Sequence, residues 1–369
     1  MIYSKKHLSI IFLKKASTIF KMKNYSSHII TSTASLKEGL IAISQLSDEI
    51  LCLFVVDNTQ HLIGTITDGD IRRALIAGIG LDDVIESAMN KNFVRVLVDN
   101  ISPGEIKRYR TKGIKLLPCV DSNGNICKVY NLVTKQSILP VDAVLMAGGK
   151  GERLRPLTDS IPKPLLKVGD KPIIDYNVDR LIKFGIENIH VTVNYLADQI
   201  ETHFQEDRDG IVINCVREPK FLGTIGAVKY IHNFRNDTVL VMNSDLFTNI
   251  DLEDFFEHFS NNGADMSVAA VPYSVSVPYG IFEVEGNKIL GLQEKPTFEY
   301  YANGGIYLIK RKLLDLIPPE TFFNGTDFVE LLIEQGYKVI RFPLIGYWID
   351  IGKPEEFKRV QELANHFNF

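Results

Sequence analysis

One stretch limits what this 369-residue chain can fold into more than any other. Val141 to Leu166 reads V-D-A-V-L-M-A-G-G-K-G-E-R-L-R-P-L-T-D-S-I-P-K-P-L-L. Ala143 to Ala147 is a short apolar run of the kind that forms a buried strand, and Gly148, Gly149 and Gly151 follow at once. Glycine lets backbone N–H groups turn inward and approach a ligand closely. Arg153, Arg155 and Lys163 then set fixed positive charge over that backbone. A strand, a glycine loop and converging cations predict a polyphosphate site.

The rest of the chain must supply at least one further folding unit, because 369 residues exceed a typical single core. A formal net charge of -4 gives no global reason to hold nucleic acid, so any phosphate site is local. The four cysteines, Cys52, Cys119, Cys127 and Cys215, lack C-x-x-C spacing, and three lie in apolar runs. They read as small buried hydrophobes in a reducing cytoplasm, with no zinc or disulfide framework and no membrane association. Residues 1–23 stand apart. Leu8 to Leu13 is too short to span a bilayer and is closed by Lys14 and Lys15. Met22 begins the uninterrupted globular pattern, so residues 1–23 read as a disordered arm or as the product of an upstream start codon. A weak membrane-surface helix is the alternative.

Residues 24–139 contain an internal repeat, with copies at about 24–82 and 83–139. Ser35-Leu-Lys-Glu38 is a capping box, and Ser102-Pro-Gly-Glu105 repeats it with Pro103 at the first helical position. Each helix leads to an apolar strand ending in Asp, Leu51 to Asp57 and Leu116 to Asp121. Turn residues follow, then second strands at His61 to Thr67 and Ile126 to Leu132. Each copy is too small to bury its own core, so the two should pack together.

Gly64-Thr-Ile-Thr-Asp-Gly-Asp-Ile-Arg-Arg73 and the matching Leu-Pro-Cys-Val-Asp121 resemble a tandem pair of CBS domains. The resemblance implies that Thr67 and Asp68 meet the ribose hydroxyls of an adenine nucleotide. The competing reading is that Asp68 or Asp70 caps the helix near Ile71. In the second copy Thr134 precedes Lys135, with no acid, so one nucleotide site or none is expected. CBS pairs associate, which points to a homodimer.

Ser137 to Asp142, with Pro140, reads as the linker, and the second domain runs over 141–369. From Val141 onward strands and helices alternate, predicting an α/β domain with a mainly parallel sheet. Ile189 to Val193, Val239 to Met242, Met266 to Val271 and Ile281 to Val284 continue the series of sheet strands. Ligands of such sheets bind beyond the carboxyl ends of the strands, where the glycine loop and Asp245 fall. Asp251, Glu253 and Asp254 read as first-turn helix acids, and Phe255, Phe256 and Phe259 as core. The histidines have no H-E-x-x-H spacing, which argues against a His-zinc site.

A Rossmann dinucleotide loop needs G-x-G-x-x-G, and a P-loop needs Lys-Ser or Lys-Thr after its last glycine; Gly151 is followed by Glu152 and Arg153, so neither fits. The string A-G-G-x-G-x-R-L-x-P-L-T, with Pro162-Lys163-Pro164, resembles the signature of the sugar-1-phosphate nucleotidyltransferases. The resemblance implies a Rossmann-like domain. Further pieces follow in that family's order: Glu218-Pro219 with Leu222-Gly223-Thr224, Asn243-Ser-Asp245, Tyr279-Gly280, Glu294-Lys295-Pro296, Asn303-Gly-Gly-Ile-Tyr307 and Trp348-Ile-Asp350-Ile-Gly352.

By that resemblance Ala147, Gly148, Gly149, Gly151, Arg153, Lys163, Glu218, Gly223 and Thr224 hold a nucleoside triphosphate. Gly280, Glu294, Lys295 and Asn303 hold a sugar 1-phosphate. Asp245 and Asp350 bind Mg²⁺, and Arg153, Lys163 and Lys295 act in catalysis. Glu152, Ile225 and Lys353 depart from the family's usual residues near phosphate, base and metal, so the base stays open. A CBS pair ahead of such a domain is similar to the guanylyltransferases of legionaminic-acid biosynthesis, which implies GTP and a GDP-glucosamine-type product. Uridylyl or thymidylyl transfer, mannose- or heptose-1-phosphate guanylylation, and a nucleotide-sensing protein with an inactive catalytic half are the competing readings.

Overall fold

A computed structural model describes residues 25–46, 50–98 and 101–364. The N-terminal arm of the sequence reading lies outside these residues. The chain divides into two compact units between Gln136 and Ser137. The first carries the repeat. Strand β1 (Ile29–Thr31), helix α1 (Leu36–Ser44), β2 (Cys52–Val56), β3 (Leu62–Thr67) and α2 (Asp68–Ile76) form the first copy. Strand β4 (Val96–Leu97), α3 (Pro103–Thr111), β5 (Leu116–Val120) and β6 (Ile126–Asn131) form the second. Each copy closes a three-stranded sheet, β1-β2-β3 and β4-β5-β6.

The copies are welded by shared burial: Phe54 and Leu62 of the first pack with Leu116, Val120 and Val129 of the second. The Leu62 N–H also donates to the Gly124 carbonyl at 2.9 Å. Ser35 and Glu38 form the reciprocal cap of α1. Ser102 does not repeat it: α3 begins with Pro103 at its first turn and no side-chain cap. Proline has already removed one of the N–H groups such a cap would serve. The copies also end differently. First-copy β3 runs straight into α2, whereas β6 is followed by turns, with no helix before residue 141.

The second unit starts earlier than Pro140 suggests. Ile138 and Leu139 are buried, Ser137 Oγ donates to Glu253 Oε1 at 2.7 Å, and the Leu139 N–H donates to Phe184 at 3.1 Å. The stretch read as a linker is therefore packed structure. It leads into β7 (Val141–Ala147), the small hairpin β8 (Lys167–Val168) and β9 (Lys171–Pro172), and α4 (Ile173–Lys183). Then come β10 (Ile189–Val193), α5 (Ala197–His203), β11 (Ile213–Arg217), β12 (Thr238–Asn243), β13 (Leu246–Thr248) and α6 (Leu252–Asn261). The chain finishes with β14 (Met266–Ser276), β15 (Ile281–Glu285), β16 (Lys288–Gln293), β17 (Thr297–Lys310), α7 (Gly325–Glu334), β18 (Val339–Pro343), β19 (Trp348–Asp350) and α8 (Pro354–Ala364).

Seven strands make the central sheet, ordered β11-β10-β7-β12-β17-β14-β18. Only the two ladders flanking β17 are antiparallel. Central strands of such a sheet are covered on both faces and so read as continuous apolar runs. Leu145, Leu240 and Met242 pack on one face with Val178 of α4 and Phe255 of α6. Val144, Val239 and Val241 pack on the other with Phe328 and Leu332 of α7. Phe255 and Phe259 are core as expected, with Phe256 partly buried beside them. Ile281 to Val284 departs from the sequence reading: β15 pairs only with β16, in a hairpin outside the central sheet. From Phe282 its side chains alternate apolar and charged, the pattern of a half-covered strand, whereas β7 and β12 carry unbroken apolar runs, Ala143 to Ala147 and Val239 to Met242.

Among the described residues no helix is long and apolar enough to cross a membrane.

Candidate active site

The parallel strands β7, β10, β11 and β12 all deliver their carboxyl ends to one edge of the sheet, and a cleft of about 610 Å³ opens there. Ala147, Gly148, Gly149 and Gly151 form one wall. Gly151 has φ +63°, a left-handed turn that a side chain would resist, and a Cβ there would meet Lys163 and Thr158 at 3.1 Å. The Thr158 hydroxyl donates to the Gly151 carbonyl at 2.9 Å and Tyr195 holds Thr158 in turn. Gly148 is needed for close approach: a Cβ there would collide with the Glu218 carboxylate.

Glu218 follows β11, is 5% exposed, and accepts the Leu222 N–H at 3.0 Å. Burial pushes its carboxyl up to about 7 despite that hydrogen bond. Gly223 and Thr224 also line the cleft, but each has a local duty. Gly223 packs against the Phe323 backbone, and Thr224 Oγ1 accepts the Gly325 N–H at 2.8 Å at the start of α7.

The cation end is built from two strands outside the main sheet. β13 and β19 pair antiparallel with Leu246 opposite Asp350, which brings Asp245 beside Asp350. The buried Lys163 ion-pairs with Asp245, and its Nζ lies 3.8 Å from Asp350 Oδ1. Burial raises the Asp350 carboxyl, the Asp245 charge adds to this, and Lys163 and Arg153 oppose it. The Arg153 guanidinium lies over Gly352, so close that a Cβ there would be 2.9 Å from Nη2.

A desolvated pair of like-charged carboxylates is a donor set that a hard divalent cation relieves. Among the described residues no group of three or more His, Cys, Asp or Glu could hold a metal. Asp245 and Asp350 could supply two oxygen ligands, and a magnesium ion held there would complete its shell with phosphate oxygens and water.

Both carboxylates are held from behind. Buried Asn177 of α4 donates Nδ2 to the carbonyls on either side of Asp245, Ser244 at 3.2 Å and Leu246 at 2.9 Å. Beyond Asp350, Glu356 accepts the N–H groups of Gly352 and Lys353 at 2.9 and 2.7 Å. Trp348 Nε1 donates to the Gly304 carbonyl at 2.8 Å, linking the Asp350 strand to the Asn303–Gly304–Gly305 turn.

The sugar-side candidates do not line this cleft. Gly280 and Glu294 are neighbours: a Cβ on Gly280 would lie 3.1 Å from Glu294 Oε2. Glu294 and Lys295 are exposed, and Lys295 holds φ +46°, an unusual conformation for a residue with a side chain. Asn303 is spent locally: Oδ1 accepts the Gly305 N–H and Nδ2 donates to Tyr307, both at 2.9 Å. Sequence reasoning missed Lys150, Thr192, Asn194 and Phe221 in the cleft wall. Lys150 sits inside the glycine loop and could have been found there; the others carry no local motif. It also missed Asn177 and Glu356.

In the first unit Thr67 is the N-cap of α2, and Asp70 accepts from both its N–H and its hydroxyl, at 2.8 and 2.6 Å. The capping role therefore belongs to Thr67 and Asp70. Asp68 ion-pairs with Arg72 at 2.8 Å.

Residues 142–366 match the model of a family described as nucleotidyl transferase. The chain belongs to that family. Residues 25–77 match the CBS domain model. The chain is 31% identical over 232 residues to the D-glycero-alpha-D-manno-heptose 1-phosphate guanylyltransferase of Aneurinibacillus thermoaerophilus, across 62% of this chain and all of that one. It is 32% identical over 228 residues to the mannose-1-phosphate guanylyltransferase of Mycobacterium tuberculosis, across 59% of this chain. The nucleotidyl transferase region spans 63% of that relative's own length. A Bacillus anthracis structure described as a glucose-1-phosphate thymidylyltransferase is similar at a TM-score of 0.50 and 25% identity, over 62% of this chain and 97% of that one.

Proposed function

We propose that the protein is a cytoplasmic, Mg²⁺-dependent sugar-1-phosphate guanylyltransferase, joining GTP and a glucosamine-type sugar 1-phosphate into a GDP-sugar for surface glycan or nonulosonic acid synthesis. The observation that carries the reading is the Asp245–Lys163–Asp350 cluster at the mouth of a glycine loop. It concentrates both signs of charge where a triphosphate would be cleaved.

A phosphate oxygen of the sugar 1-phosphate attacks the α-phosphorus of the nucleotide in line. The bond from that phosphorus to the bridging oxygen breaks, and pyrophosphate leaves with the electron pair. Both reactants are anions, so catalysis is mainly positioning and charge neutralisation. Backbone N–H groups of Gly148 to Gly151 would cradle the phosphates, with Arg153 on the departing pyrophosphate as a planar fork. Lys163 would leave its carboxylate partners for the α-phosphate. Asp245 and Asp350 would hold the metal, whose chemistry is to offset phosphate charge. Lys295 would take the incoming phosphate, with Glu294 and the Gly280 backbone on sugar hydroxyls.

Guanine is supported by two of the relatives and by Glu218. A carboxylate at the base end can accept the N1–H and 2-amino N–H of guanine together, which neither uracil nor thymine offers. The CBS unit would take one adenine nucleotide at the first copy, near Thr67 and Asp68. The second copy has no helix to present the equivalent groups.

Pyrophosphate release, measured with four NTPs against a panel of sugar 1-phosphates, tests the reading. Turnover with GTP and a hexosamine 1-phosphate is expected. Turnover with UTP or dTTP only would move the protein to another base. Mannose or heptose 1-phosphate would move it to another sugar. Tight nucleotide binding with no turnover would make it a sensor.

A further inference from the structure

A cavity of about 920 Å³, larger than the cleft, takes no part in the proposed reaction. It opens at the far end of β12: Thr238, the first residue of that strand, lines the cavity, and Asn243, the last, lines the cleft. Five steps of extended chain put those two residues about 16 Å apart. The cavity walls are tied down. The buried Asp142 accepts the N–H groups of Arg235 and Asn236 at 2.6 and 2.9 Å, and beside them Phe234 meets the buried His190 ring edge to face, centroids 5.7 Å apart. Across from this segment, the Lys310 and Arg311 N–H groups donate to the carbonyls of Asp265 and Asp237 at 3.0 and 2.8 Å.

The lining has two chemistries. Ile231, Phe234, Phe259 and Leu314 supply apolar surface, while Lys229, Lys310, Arg311 and Lys312 supply four cations against two lining carboxylates, Asp237 and Asp315. In a chain of net charge -4 this is a local excess of positive charge. Both lining acids are weak partners: Asp315 lies 3.6 Å from Lys229 with its side chain 89% exposed, and Asp237 lies 3.0 Å from Arg311 with its side chain 97% exposed. Ion pairs that open to water are easily exchanged, so a phosphate can take over either cation. Lys310 is held by Asp265 at 2.9 Å. Lys312 and His232 have no hydrogen-bond or ion-pair partner among the described residues.

We propose that this cavity is a second binding site, for an organic phosphate whose ring or other apolar body lies on the Ile231, Phe234, Phe259 and Leu314 surface and whose phosphate meets Lys312, Lys229 and Arg311. The volume is that of a small-molecule site, and an apolar lining with a few charged groups is the usual composition of one. An inorganic anion would have no use for the apolar surface, and an uncharged apolar ligand none for the cations. The site does not rest on the reaction assigned above.

Pyridoxal 5′-phosphate is a suitable probe: an aromatic phosphate whose aldehyde forms an imine with a lysine amine and releases water. Borohydride then supplies the hydride that fixes the imine as a secondary amine, and peptide mass mapping locates it. With Mg²⁺ and GTP present to fill the cleft, Lys312 is expected to be labelled about tenfold faster than Lys358, an exposed lysine of α8. Phenyl phosphate should suppress labelling of Lys312, and not of Lys358, at a concentration about tenfold below that needed of inorganic phosphate, because it brings the apolar body. Arg311→Glu, at an exposed position, should slow Lys312 labelling about fivefold with the native melting temperature retained. Equal rates at Lys312 and Lys358, protection by inorganic phosphate as good as by phenyl phosphate, or unchanged Lys312 labelling in Arg311→Glu would each overturn the proposal.

Discussion

The parts of the nucleotidyl transferase unit proposed to take phosphate and sugar are built on opposite plans. At the first end both carboxylates are tied down before any ligand arrives: Asp245 by Asn177 on both flanking carbonyls, Asp350 by its strand pairing and the Glu356 turn. At the sugar end, Glu294 and Lys295 ride on ribbons whose side chains are largely exposed. The contrast separates two needs. Charge must already be in place where a phosphoryl bond breaks, since reorganisation at that moment would raise the barrier. Discrimination among sugars tolerates a support that can shift.

The comparison breaks most sharply at Asp245. Asp245→Asn should lower pyrophosphate release by at least about 10³-fold while sugar and nucleotide KM values change little, read by a coupled pyrophosphate assay. Undiminished turnover would remove the metal role. On the ribbon side, Lys295→Ala should raise the sugar 1-phosphate KM by about ten- to a hundredfold, the loss of one charge-assisted contact, and leave the NTP KM in place. Equal changes in both would mean that the two ends are not separate.

Glu218 gives a pH test. Its carboxyl sits near 7 because burial disfavours the charge, so its ionised fraction grows as pH rises through 7. If the ionised form reads guanine, kcat/KM for GTP should climb about tenfold from pH 6 to 8, and Glu218→Gln should flatten the profile. The smallest expected effect is at Asn177. Asn177→Ala leaves two carbonyls short of a donor and should raise the Mg²⁺ needed for half-maximal rate about fivefold, with folding shown intact by circular dichroism. No change would show that β13 holds Asp245 without help.

What could be read from the sequence follows the same division. The glycine loop with Lys163, and the apolar strands β7, β10 and β12, are each local segments of the chain, so spacing and composition expose them. The meeting of Asp245 with Asp350 depends on pairing two three-residue strands far apart in sequence, which no local pattern predicts. Asn177 is one polar residue within an amphipathic helix and carries no motif. The Ile281 to Val284 run is a strand, as its patterning predicts, but it joins a separate hairpin, because local β patterning does not say which sheet a strand joins. Ser102 matched the capping-box spacing, yet Pro103 changed what its helix needed.

The chain contains a single tryptophan, Trp348, and its indole N–H grips the carbonyl of Gly304 while its strand leads directly to Asp350. An indole joined in this way to the proposed metal carboxylate and to the Asn303–Gly305 turn is an unlabelled optical probe. If the proposed sites are right, its emission should respond separately to added Mg²⁺ and to added sugar 1-phosphate. The order in which substrates arrive could then be followed in the native protein, in real time and without modification.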